Sequence, residues 1–315
     1  MKKLSVGLVA ALAACSTSPA GLPSAGTSSP ASTSTTTSIA PSPSRSEETG
    51  GREQIRFPGP DVAVPPTARG MARALLKVSV QLPQAIDEWL DGGGVRLSRA
   101  GRRIALGGLW QQKLYRSLVV RERLRAAVLR RVPSWLARRI RRYVHAGAGL
   151  RALASPVKPP VRLKTTPPTP HRALRRFYRA GARRFDVPWY VLASVNFVES
   201  KFGRLLGPSS AGARGPMQFI PATWDAYGNG GNIMDPRDSI IAAARYLSAS
   251  GAPEDMRGAL LAYNHSSAYV DAILIYAREM RRDPRNFYAL YFWQVFVRTT
   301  RGDMQLTGPG RDRRG

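Results

Sequence analysis

Apolar residues recur every three to four positions through most of the chain beyond residue 56, the period of an α-helix. Leu75, Leu76, Val80 and Leu82 mark a first helical stretch, Trp110, Leu114 and Leu118 a second, and Leu124, Val128 and Val132 a third. Gly92-Gly93-Gly94 reads as a loop, and Pro133 as the boundary before a helix with Trp135, Leu136, Ile140 and Tyr143. Asp186 is expected to cap a helix over 187–201, with Gly203 as the residue that stops it. On that helix Leu192, Val195, Asn196 and Glu199 fall at i, i+3, i+4 and i+7, which turns Glu199 onto the inward face. Pro221 opens a short helix with Trp224 and Tyr227, ended by Gly228; Trp224 is either a core aromatic or a sugar-stacking platform. Asp235-Pro236-Arg237-Asp238 carries cap chemistry for a helix that buries Ile240, Ile241, Ala244 and Leu247. Another helix leads to Ala262-Tyr263-Asn264, and Val270, Ile273, Leu274 and Ala277 line the last clear one. The expected fold class is all-α.

The N-terminal part lacks this pattern. Met1-Lys2-Lys3 precedes an apolar run from Leu4 to Ala14 that is too short to stay in a bilayer as a spanning helix. Leu12-Ala13-Ala14-Cys15 resembles a bacterial lipobox, which implies lipidation of Cys15 and a membrane anchor there; an ordinary secretory signal is the alternative. Cys15 is the only cysteine, so no internal disulfide is possible. The expected organisation is a signal peptide over 1–14 and a disordered Ser/Thr/Pro-rich tether over 15–55. A basic helical subdomain follows over 56–155, then a Pro-rich linker over 156–170, a catalytic domain over 171–301 and a basic disordered tail over 302–315.

Charge narrows the choice of partners. The chain has 48 Lys and Arg against 20 Asp and Glu, a net charge of +28. Nucleic acid, anionic lipid and anionic envelope polymers all attract such a surface, and export from the cytosol makes nucleic acid the poorest of them. From Arg96 to Arg151 the only acid is Glu122. This region is read as helices that pack on the next domain and solvate their arginines, with a surface for lipid or anionic polymer as the alternative.

Glu199 lies in the last turn of its helix, where the dipole and burial both favour the neutral carboxyl. A structural salt bridge with Arg204 or Arg214 is the competing role. The loop from Gly207 to Gly215 is small enough in side chain to approach a ligand closely. Met217 then offers an apolar contact and Gln218 an amide suited to N-acetylated sugars. With three histidines and one cysteine, no metal-ligand cluster and no cofactor are expected.

Glu199-Ser200, Gly212-Ala213-Arg214-Gly215-Pro216-Met217-Gln218-Phe219, Asp235-Pro236-Arg237-Asp238 and Tyr263-Asn264-His265-Ser266 resemble the successive motifs of the lytic transglycosylases of the lysozyme-like superfamily. The resemblance runs from about His171 to Arg301 and includes Tyr291-Phe292-Trp293-Gln294-Val295. It implies a lysozyme-like fold and, as substrate, the glycan strands of peptidoglycan in the cell envelope. The bond cleaved would be the β-1,4 link between N-acetylmuramic acid and N-acetylglucosamine, with a 1,6-anhydro product. By that resemblance Glu199 is acid and base, Ser200 supports its loop, Met217 and Gln218 contact the glycan, Tyr263 bonds near Glu199, and Asn264 orients the site. Two positions depart from the motifs: Pro216 stands where Leu is commoner, and His265-Ser266 follow Tyr-Asn. A hydrolytic muramidase of the same fold using Asp225, Asp235 or another acid to activate water, and a non-catalytic peptidoglycan-binding lipoprotein, are the alternatives.

Overall fold

A computed structural model describes residues 55–311. The signal peptide, Cys15 and all but the last residue of the expected tether lie outside the described residues, as do residues 312–315. From Arg56 onward the described chain forms one unit, and it is built almost wholly of helices.

Thr67 accepts a hydrogen bond from the Gly70 amide and so caps α1 (Ala68–Asp91). Its buried residues Met71, Leu75, Val78, Leu82, Ile86 and Trp89 follow the helical period. Leu76 and Val80, expected with them, are 38% and 47% exposed, because at 100° per residue they fall well away from the Leu75 face. Ser98 caps α2 (Arg99–Val120), which is followed by α3 (Glu122–Leu129) and, after Pro133, by α4 (Ser134–Leu153). The second half holds α5 (His171–Phe185), α6 (Trp189–Ser200), α7 (Pro221–Tyr227), α8 (Pro236–Ala249), α9 (Met256–Tyr263), α10 (Ser267–Arg282) and α11 (Arg285–Tyr291). A hairpin of β1 (Phe296–Thr299) and β2 (Gly302–Gln305) closes the fold, with Phe296 opposite Gln305. β2 falls in the segment expected to be a disordered tail. That segment is too polar to show a strand by itself and is ordered by backbone pairing with β1.

The two halves are bound tightly to each other. α10 packs between α4 on one side and α6 on the other, and α1 packs on α11. Trp89 of α1 meets the rings of His171, Tyr288 and Phe292 with centroids 4.9, 5.7 and 5.4 Å apart. The Gln112 side chain of α2 brackets residue 294, donating to its carbonyl at 2.9 Å and accepting from its amide at 2.7 Å. Many arginines of the basic region are spent on this seam. Arg142 reaches Glu279 of α10 at 2.7 Å, and Arg116 and Arg151 each reach Asp303 of β2 at 2.6 Å. The expected Pro-rich linker is extended but attached: Thr165 forms an antiparallel bridge with Leu205, and Val157 a parallel one with Thr299.

Candidate active site

α6 carries the acid. Every residue from Val191 to Ser200 is buried, so this helix is central rather than amphipathic, and the inward phase of Glu199 is one case of a general burial. Asp186 does not cap it. Asp186 adopts a left-handed conformation at the end of α5, and α6 begins after Pro188, whose fixed φ suits a helix start.

At the other end Lys201, Phe202 and Gly203 take positive φ values of 53°, 62° and 84° in succession. This sharp turn ends α6 directly after Ser200 and sends the chain back along the acid. Ser200 stabilises the turn, accepting from the Gly203 amide at 2.9 Å and donating to the Pro216 carbonyl at 2.7 Å. The same carbonyl accepts from Asn196 Nδ2 at 2.8 Å, and Asn196 Oδ1 accepts from Tyr178 at 2.6 Å.

The Gly-rich loop is shaped from within. Ser209 Oγ accepts from the amides of Ala211 and Ala213, and Arg214 and Phe219 pair through their backbones. At Gly215, with φ 76°, a Cβ would stand 1.9 Å from the Ile233 carbonyl oxygen, so only glycine fits. The Met217 side chain, expected to contact the glycan, is completely buried. Its carbonyl accepts from Tyr263 Oη at 2.6 Å. Tyr263, expected to hydrogen-bond near Glu199, braces this loop with its hydroxyl and lies close enough for the Glu199 charge to act on it. Gln218 is buried beside Glu199 and lines the same small hollow. Asn264 ends α9, 4% exposed, and its Nδ2 makes no hydrogen bond within the protein.

Glu199 itself is 1% exposed. Oε1 accepts from Tyr269 Oη at 2.6 Å, and Oε2 has no hydrogen-bond partner. Burial pushes its pKa up to about 8, against the opposing pull of the Tyr269 hydrogen bond and the Lys201 charge. Lys201 is shifted the other way, down to about 7, by burial and then by the Arg116 charge. Its ammonium donates to the Phe197 carbonyl at 3.0 Å and lies 4.2 Å from the centre of the Phe197 ring. At neutral pH the carboxyl is therefore protonated and able to donate from Oε2.

The competing roles fare less well in this geometry. Arg204 donates to the carbonyls of Lys201 and Tyr291, and Arg214 is exposed, so neither pairs with Glu199. Asp235 caps α8, accepting from the amides of Arg237 and Asp238, and Asp225 is exposed on α7. Trp224 packs edge-on against Phe219, 5.5 Å between centroids. Among the described residues no cluster of His, Cys, Asp and Glu is placed to hold a metal ion, and no helix is long and apolar enough to cross a membrane.

Sequence reading missed Tyr269 and Lys201. Tyr269 shares the buried face of α10 with Val270 and Ile273, and a tyrosine in that phase needs a partner for its hydroxyl. That signal was present. Lys201 has none, since only the turn after α6 folds its stem back over Phe197.

Residues 177–281 match the family model described as Transglycosylase SLT domain, a third of the chain. No curated protein and no solved structure matches the chain. The match is consistent with a lysozyme-like domain of the kind found in lytic transglycosylases, a family of enzymes that act on peptidoglycan. The matched stretch contains Glu199, Gln218, Tyr263, Asn264 and Tyr269.

Proposed function

We propose that this chain is a peptidoglycan lytic transglycosylase that cleaves the β-1,4 bond between N-acetylmuramic acid and N-acetylglucosamine and leaves a 1,6-anhydro end. One observation carries the reading: a buried, protonated Glu199 inside an SLT domain, with Tyr269 and Lys201, rather than a second carboxylate, as the groups acting on its proton.

The chemistry follows from that proton. Oε2 of neutral Glu199 protonates the glycosidic oxygen as the bond to C1 breaks. The carboxylate left behind is stabilised by the Tyr269 hydroxyl and the nearby Lys201 charge. It then accepts the proton of the muramic C6 hydroxyl while that oxygen bonds to C1. The carboxyl is neutral again, and no water is consumed. Two-carboxylate glycosidases need a second acid as nucleophile or base, a part that the sugar's own hydroxyl plays in this scheme.

Gln218 and the unpartnered amide of Asn264 are the side chains suited to the glycan's N-acetyl groups. Ser200, Met217 and Tyr263 act through the loop they brace. The Leu12–Cys15 motif supports a lipid anchor at Cys15 and a site of action in the cell envelope, and the exposed arginines suit anionic envelope polymers as a secondary partner. Mass spectrometry of peptidoglycan digested by the protein tests the reaction. Anhydro-ended fragments are expected; water-added ends alone would identify a hydrolytic muramidase instead.

A further inference from the structure

The hollow that holds Glu199 is far too small for a sugar. Its volume is about 20 Å³, room for roughly one water, whereas ligand sites run to the order of 300 Å³ or more. Its walls are the loop after α6, through Leu205, Pro208, Ser209 and Gln218, and one residue from elsewhere, Leu163. Leu163 lies outside the matched domain, in the extended segment between α4 and α5.

That segment is held at both ends and free in the middle. On one side Val157 exchanges backbone hydrogen bonds with Arg298 and Thr300, both 3.0 Å. On the other, Lys164 accepts from the Leu206 amide at 3.2 Å, Thr166 donates to Arg204 at 3.0 Å, and Thr169 donates to Phe202 at 3.0 Å. Among the described residues, 158–163 form no backbone hydrogen bond. Lys158, Pro160 and Arg162 are exposed, while Leu163 is half-buried against the acid's hollow. A strap with anchored ends has placed Leu163 inward against the site, with Val161 also partly buried and the residues between and before them exposed or partly exposed.

We propose that residues 158–163 form a lid over the acid, with Leu163 as the gate that shields Glu199 from bulk solvent and must be displaced for a glycan strand to enter. The gating rests on the function proposed above; the sealing does not. Leu163 is a positioning residue, since it keeps bulk solvent off the carboxyl until substrate takes its place. Opening admits water to Glu199 and moves its pKa down toward the ordinary carboxylate range, because burial is the main cause of the shift.

Two measurements on the full chain decide this. In the first, carboxyls are amidated with a carbodiimide and an amine, and the rate at Glu199 is read by peptide mass spectrometry in wild type and in Leu163→Ser. The milder Leu163→Ala serves as a second variant and exposed Asp225 as the internal reference. Labelling of Glu199 is expected to rise at least several-fold while Asp225 is unchanged; equal labelling of Glu199 in all three proteins overturns the seal. In the second, trypsin cleavage after exposed Arg162 is followed in a Glu199→Gln chain as purified glycan strands are added. Faster cleavage supports displacement of the lid, and unchanged or slower cleavage overturns the gate. In active protein, the alkaline limb of the rate profile should move to lower pH in Leu163→Ser. If labelling and cleavage behave as expected but no anhydro product forms, the reaction assigned above fails and the lid stands.

Discussion

Tyr269 donates a 2.6 Å hydrogen bond to Oε1 of Glu199, leaving Oε2 as the oxygen free to deliver a proton. Because this bond favours the ionised carboxyl, it lowers a pKa that burial has raised. Tyr269→Phe should therefore raise the pKa of Glu199 further. A hydrogen bond to a charged group contributes about 1.5–3 kcal/mol, which is about one to two pH units. The alkaline limb of kcat/KM should move upward by that amount while kcat falls, since the carboxylate formed in the first step loses its donor. A limb that stays in place in this variant would remove Tyr269 from the machinery.

Glu199→Gln should abolish strand cleavage, by roughly two to four orders of magnitude if proton transfer is all that is lost. It should also stabilise the protein in alkali. The folded carboxyl keeps its proton to about pH 8, whereas an unperturbed one loses it near 4.5. Between those values the folded state binds more protons than the unfolded state, so this group's contribution falls as pH rises. The deficit is complete above pH 8 and absent well below 4.5. Gln carries no such penalty, so the variant should exceed wild type by on the order of a few kcal/mol in alkali and match it in acid. Lys201 acts in the opposite sense above about pH 7, and its charge is coupled to the Glu199 carboxylate, so the comparison is read where that coupling vanishes: in acid, where Glu199 is neutral, and well above pH 8, where Lys201 is neutral. Denaturant titrations at several pH values supply the comparison.

Much of the site was legible because its signals are local. Gly and Pro punctuate the loop after α6, Asp235 caps α8 through its own side chain, and the spacing of apolar residues marks most of the helices. What was not legible depends on distant partners. Met217 reads as a ligand contact, yet its side chain is fully buried and its carbonyl accepts from Tyr263, 46 residues away in sequence. The 156–170 segment reads as a free linker because proline and lysine dominate it; its attachment lies in backbone hydrogen bonds to 202–206, which no side-chain pattern records. The basic region likewise hides its acidic partners, since Glu279 and Asp303 stand more than a hundred residues away in sequence.

That pairing carries a stability cost when broken. Glu279 has a side chain only 5% exposed and faces Arg142 at 2.7 Å and Arg139 at 3.5 Å. Glu279→Gln would leave two guanidinium groups partly buried without their counter-charge, a loss of about 3 kcal/mol or more. For a protein of this size that lowers Tm by roughly 6–12 °C. A double variant that also replaces Arg142 should recover part of the loss, and calorimetry on the three proteins checks it. Additive losses would mean that the pair does not hold the seam.

Gly212 and Gly215 separate backbone strain from steric exclusion in the loop that faces Glu199. Both have positive φ, 79° and 76°. An added Cβ at Gly212 meets nothing within 4 Å, whereas at Gly215 it would stand 1.9 Å from the Ile233 carbonyl oxygen and 2.9 Å from its carbon. Gly212→Ala should therefore cost only the left-handed penalty, about 1–2 kcal/mol, and lower Tm by a few degrees with cleavage retained. Gly215→Ala adds a clash with backbone that cannot rotate away. Relief would require moving Ile233 or breaking the turn in which the Gln218 amide donates to the Gly215 carbonyl at 3.1 Å. Either movement displaces Gln218 from the wall of the acid's hollow, so cleavage should fall in any Gly215→Ala protein that still folds. Melting curves and strand cleavage measured on both variants give the test: similar losses at the two glycines would mean that the contact with Ile233 does not shape the site.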